Sequence, residues 1–223
     1  MLVQAVKKLF ELGCPLVILA CNTASAKALR TIQQNDLPTI DPSRRVLGVI
    51  RPTVECIGDL TQNRHVGILA TSGTIKSESY LLEIEKLFPD VTVTGEACPM
   101  WVPLVENNEY DSEGADYFVQ KHIRQLLAKD PDIDTLILGC THYPLLIEKI
   151  RQFTPSHIRI VPQGEYVAQS LQNYFRRHPE MDNRCTKEGT CRFLTTESET
   201  KFEESASIFL QQEDIHVERI ILE

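Results

Sequence analysis

Two cysteines stand where an apolar run gives way to small polar residues. Val17 to Thr23 reads V-I-L-A-C-N-T, and Leu136 to His142 reads L-I-L-G-C-T-H. Each run suits a fully buried parallel strand, and each delivers a thiol to the carboxyl end of that strand, where α/β folds place their ligands. Cys21 and Cys140 can therefore face one small substrate from two sides. That is the minimal device for taking a proton from one face of a carbon and returning one to the other. With each sulfur about 3 to 3.5 Å from the reacting centre, the two stand roughly 6 to 7 Å apart, too far for a disulfide. One must be held as thiolate while the other stays protonated, and the roles exchange with each turnover. His142 is either a proton partner of Cys140 or a cap of the helix that follows. Backbone amides beyond both strands, with the hydroxyls of Thr23 and Thr141, can stabilise a carbanion beside a carboxylate.

The elements that must position these groups alternate strand with helix. An opening helix carries Leu2, Val3, Val6, Leu9 and Phe10 at helical spacing, with Gly13 as its C-cap. Strands are predicted at Leu16 to Ala20, Val46 to Ile50, His65 to Ala70, Val91 to Gly95, Thr135 to Gly139, Ile158 to Val161, Cys191 to Thr195 and His216 to Leu222. Helices are predicted at Ala24 to Asn35, Pro52 to Leu60, Ile75 to Phe88, Ser112 to Lys129, Pro144 to Phe153, Tyr166 to Arg177 and Ser198 to Leu210. Asn35 to Arg45 reads as a polar loop, His178 to Thr190 as an exposed connection, and Cys98 to Val105 as a Pro-interrupted apolar segment leading to Glu106. Thr71-Ser72-Gly73-Thr74 reads equally as an anion cradle or a simple helix N-cap. The alternation implies an α/β fold with parallel sheets covered on both faces. The similarity of the two cysteine stretches suggests two pseudo-symmetric halves.

Composition narrows the function classes. The 223 residues, 42% of them hydrophobic, can fill one large α/β domain or two smaller ones. A formal charge of −8, with Arg44-Arg45 and Arg176-Arg177 only as pairs, argues against nucleic acid as a partner. No apolar run approaches the roughly 18 residues of a membrane span. Lys7, Lys8 and Glu11 interrupt the segment where a signal peptide needs an unbroken apolar centre, so the predicted location is the cytoplasm. The 7 cysteines are an odd number without a C-x-x-C pair, which argues against both a disulfide framework and a metal site. Those outside the two motifs read as reduced, buried, small hydrophobes.

The motifs resemble those of bacterial glutamate racemases, in the aspartate/glutamate racemase family. The resemblance rests on A-C-N-T-A at Ala20 to Ala24 and L-G-C-T-H-Y-P-L-L at Leu138 to Leu146. G-V-I at Gly48 to Ile50, T-x-x-T-I-K-S at Thr71 to Ser77, A-C-P at Ala97 to Pro99, V-P-L-V-E ending at Glu106 and F-L-T-T at Phe193 to Thr196 extend it. It implies two similar α/β domains facing each other across the site, here 1–50 with 162–223 and, between them, 51–161. It implies interconversion of L- and D-glutamate without a cofactor, supply of D-glutamate for peptidoglycan, and a homodimer. It casts Cys21 and Cys140 as the acid/base pair, with Asn22, Thr23, Thr141 and His142 contacting or assisting the substrate. Thr71 and Thr74 fall near a substrate carboxylate and Glu106 near the thiols. The family's Asp-Ser-Gly strand and Pro-Tyr-Gly loop do not occur before Cys21, so a βαβ unit of about 30 residues is expected ahead of Met1 and the first domain is read as incomplete. The rivals are a racemase or decarboxylase for another α-acidic substrate such as aspartate, an inactive binding protein, and a thiol redox protein with a Cys21–Cys140 disulfide.

Overall fold

The computed structural model describes residues 1–187, 189–210, 212 and 215–222. Helix α1 (Leu2–Glu11) buries Val6 and Phe10. It stops at Gly13, whose φ of 96° suits a residue without a Cβ; Cys14 N–H reaches Leu9 O and Gly13 N–H reaches Phe10 O, which closes a Schellman turn. Strand β1 (Leu16–Leu19) follows, then α2 (Asn22–Thr31).

Here the predicted loop from Asn35 is helical in its first part, and only the turn at 41–44 remains. The chain continues through a π-helical turn, Ile32–Asp36, into α3 (Leu37–Ile40). Pro38 reads as a breaker, yet it sits in the first turn of α3, where its missing N–H has no partner to lose. Strand β2 (Arg45–Gly48) then pairs in parallel with β1.

The predicted helix from Pro52 is instead α4 (Ile50–Glu55) and α5 (Ile57–Leu60), broken at Cys56. Strand β3 (His65–Ala70) leads into α6 (Ser72–Lys76) and α7 (Ser79–Leu87). One continuous helix was expected, but Glu78 turns left-handed at φ 54° between the two. After β4 (Thr92–Ala97), the Pro-interrupted segment is α8 (Trp101–Glu106), with Pro103 in its first turn. Helix α9 (Glu113–Lys129), strand β5 (Thr135–Gly139), a 3₁₀ turn (Tyr143–Leu146) and α10 (Ile147–Phe153) follow. Strand β6 (Arg159–Val161) then precedes α11 (Gly164–Arg177).

Within the expected exposed connection, Pro179–Asp182 forms a short helix, α12, that buries Met181. Strand β7 (Phe193–Thr195), helix α13 (Glu199–Leu210) and strand β8 (Val217–Arg219) close the chain, and β7 and β8 form a parallel pair of their own.

All the sheets are parallel, as the alternation requires. The largest has the order β4-β3-β5-β6, and β5 is buried at every residue. Its chain leaves β3 toward β4 on one side and returns to β5 on the other. The carboxyl ends of β3 and β5 therefore flank a topological switch point, where open α/β sheets leave a crevice. Ala70 and Gly139 are register partners at that end, so Thr71 and Cys140 leave the sheet side by side. Gly139 keeps this end uncrowded: a Cβ would stand 3.1 Å from Ala70 Cβ and 3.3 Å from Tyr80 Cε2.

Candidate active site

Cys21 occupies the N-cap position of α2, and its side chain caps none of the helix amides. The first-turn N–H groups of α2 are thus left to meet a negative group at the positive end of the helix. Cys21 is exposed and Cys140 is buried. Burial pushes the Cys140 thiol up to about 11; the backbone of His142 offsets part of this, while the charges of Cys21 and Glu106 add to it. The two motif cysteines, far apart in sequence, lie on strand ends joined by the 2.8 Å contact of Thr23 with Thr71. All 7 cysteines are free. The expectation that the remaining five are buried holds only for Cys98; Cys14, Cys56 and Cys185 are half-buried and Cys191 is exposed.

His142 is drawn into the same arrangement. Its Nδ1 lies 3.8 Å from Cys140 Sγ, and its Nε2 lies 3.4 Å from Glu106 Oε1. Both choices left open by the sequence can be tested on this geometry: His142 makes no capping bond to the following turn and instead lines up Cys140, imidazole and Glu106. Glu106, its side chain 60% exposed, holds the far nitrogen of the ring from the solvent side.

Three hydroxyls converge on the other side. Thr23 Oγ1 lies 2.8 Å from Thr71 Oγ1 and 3.1 Å from Thr74 Oγ1, and the last two are 3.2 Å apart. Thr71 is also the N-cap of α6, accepting from Thr74 N–H at 3.3 Å. Gly73 lets the two helix starts approach, since a Cβ there would come within 3.0 Å of Thr23 Cγ2. Thr141 is exposed on the turn after Cys140.

Asn22 is placed differently from its neighbours. Its side chain is buried and engaged by Tyr80 and Gln163, two residues that no motif marked, rather than free to contact a substrate. A cavity of about 700 Å³ opens elsewhere, between the β1–β2 face and α11, and neither motif cysteine lines it.

Two thiols partly or wholly withdrawn from water, Cys56 and Cys140, also set a limit on alkaline stability. Cys140 and Cys56 hold their protons up to about 11, against an ordinary value of 9.0. Between those values the folded chain binds more protons than the unfolded one, so stability falls as pH rises through that window. Urea midpoints are expected to be level from neutral pH to the ordinary thiol value and to drop above it; a midpoint still level once pH passes both raised values would contradict the burial of these thiols.

The scaffold is parallel α/β, with one free thiol after β1 and another after β5. This chain belongs to the Asp/Glu/Hydantoin racemase family, whose model matches residues 1–170. It is 37% identical over 219 residues to a glutamate racemase of Roseobacter denitrificans, covering 94% of this chain and 78% of that protein. It is 37% identical over 223 residues to one of Streptococcus agalactiae serotype III, covering 98% and 79%. Among solved structures, glutamate racemase isoform RacE1 of Bacillus anthracis superposes with a TM-score of 0.86 at 29% identity, over 98% of this chain and 78% of that one. Glutamate racemase of Francisella tularensis, determined in complex with D-glutamate, superposes at 0.83 with 28% identity, over 99% and 79%. No helix among the described residues is long and apolar enough to cross a membrane.

Proposed function

We propose that the chain interconverts L- and D-glutamate by two-thiol proton transfer, without a cofactor, in the cytoplasm, and so supplies D-glutamate for peptidoglycan. The observation that carries this reading is that Thr23, two residues after Cys21, lies 2.8 Å from Thr71, which leaves the sheet beside Cys140, so the two cysteine-bearing strand ends come together. One thiolate removes the α-proton and the thiol on the opposite face delivers another. Cys140 starts as the proton donor, because burial keeps it protonated. When the reaction runs the other way, His142 receives its proton. The substrate carboxylate rests on the hydroxyls of Thr23, Thr71 and Thr74, and the free amides of α2 face the charge that builds beside it.

The test is exchange of the α-hydrogen in heavy water. L-Glutamate with the protein alone is expected to lose its α-proton NMR signal together with its optical activity, and aspartate to react about a hundredfold more slowly. Absence of exchange from glutamate, or faster exchange from aspartate, overturns the reading.

A further inference from the structure

We propose that Tyr80 and Gln163 are positioning residues that fix the gap between Cys21 and Cys140, an inference that rests on the proton-transfer reading above. Three buried side chains form a closed ring of hydrogen bonds running one way around. Asn22 Nδ2 donates to Gln163 Oε1 at 2.6 Å, Gln163 Nε2 donates to the Tyr80 hydroxyl at 2.5 Å, and that hydroxyl donates to Asn22 Oδ1 at 2.7 Å. Gln163 Nε2 also donates to Thr53 Oγ1 at 2.8 Å, and Thr53 Oγ1 in turn donates to Val49 O at 3.0 Å.

What the ring joins gives it a role. Asn22 directly follows Cys21 and is the first residue of α2. Tyr80 packs over Gly139, the residue before Cys140, closely enough that a Cβ there would stand 3.3 Å from its Cε2, and the Cys140 charge acts on its hydroxyl. Gln163 leaves β6, which pairs with β5, the strand that ends at Cys140. The ring therefore runs from the element holding one thiol to the sheet holding the other. A satisfied buried polar network stabilises little more than apolar packing of the same volume, but it admits one arrangement where apolar side chains admit several. Proton transfer between sulfur and carbon needs such an arrangement, since a displacement of about 1 Å can cost roughly a hundredfold in rate.

The test uses Tyr80→Phe, which keeps the ring packing, Gln163→Leu and Gln163→Glu. Bridging of Cys21 to Cys140 by dibromobimane, read by peptide mass mapping, reports the gap without requiring turnover. In folded Tyr80→Phe and Gln163→Leu, bridging is expected to slow severalfold, with kcat for glutamate down about 10- to 100-fold and KM nearly unchanged. Gln163→Glu should approach wild-type kcat in mild acid, where a neutral carboxyl still donates once and accepts once. It should fail as pH rises and the carboxylate loses its donor, a limb absent from the wild-type profile. If Gln163→Leu does not fold, Tyr80→Phe decides. Unchanged bridging and unchanged kcat in a folded variant overturn the proposal. A wild-type chain that does not racemise glutamate while its bridging still depends on Tyr80 and Gln163 overturns the functional reading and leaves the positioning role standing.

Discussion

Cys21→Ser and Cys140→Ser should each lower kcat/KM for glutamate about a thousandfold, with far-UV circular dichroism unchanged. Serine nearly matches cysteine in volume, so the buried site at Cys140 is not emptied. Its hydroxyl, however, is far less acidic than a thiol and cannot be held as the anion near neutral pH. Because the two enantiomers have equal free energy, kcat/KM must fall by the same factor in both directions, and the signature of each thiol lies in hydrogen exchange. The thiol left in a single variant can take and return a proton on its own face. One enantiomer then exchanges its α-hydrogen with heavy water and is not inverted, and the two variants do so for opposite enantiomers. The double variant should show neither reaction. Racemisation near the wild-type rate in either single variant would refute the two-base scheme.

The cysteines were legible in sequence because a buried parallel strand is a local signal, and its carboxyl end is where an α/β fold exposes small polar residues. The continuous burial of β5 shows why L-I-L-G-C could be read so directly. Elements set by medium-range compensation were not legible in this way. Pro38 reads as a breaker, yet the π-helical turn before it brings it into a first turn. Glu78 carries no residue-type signal for the left-handed turn that splits the expected helix after Thr74. Tyr80 and Gln163 were invisible for a different reason. Their partner Asn22 is 58 and 141 residues away; the sheet of β3, β5 and β6 brings Tyr80 and Gln163 together, and α2, which follows the separate β1–β2 pair, brings Asn22 to both. Local pattern placed the two cysteines at strand ends, and only the topology revealed the buried ring beside them.

His142→Asn should lower kcat/KM about a hundredfold in both directions while leaving the fold intact. The reason lies in the Cys140 thiol. Held protonated up to about 11, it is ready to donate at neutral pH but not to accept. The direction in which it must first become a base depends on a nearby group that can take its proton, and the imidazole is placed for that, with Nδ1 3.8 Å from the sulfur. Asparagine keeps a polar group of similar reach but cannot hold the proton. The loss should therefore appear as a larger primary α-deuterium isotope effect for the enantiomer whose proton goes to Cys140, and a smaller change for the other. The activity lost should also return in part as pH rises toward the thiol's own value, because hydroxide in solution then does what the ring did. Glu106→Gln, which leaves the imidazole in place and removes only its exposed carboxylate partner, should cost less than tenfold. A His142→Asn variant with wild-type kcat/KM and symmetric isotope effects would show that Cys140 loses its proton to the substrate complex directly, and the histidine would then be left with the shape of the turn alone.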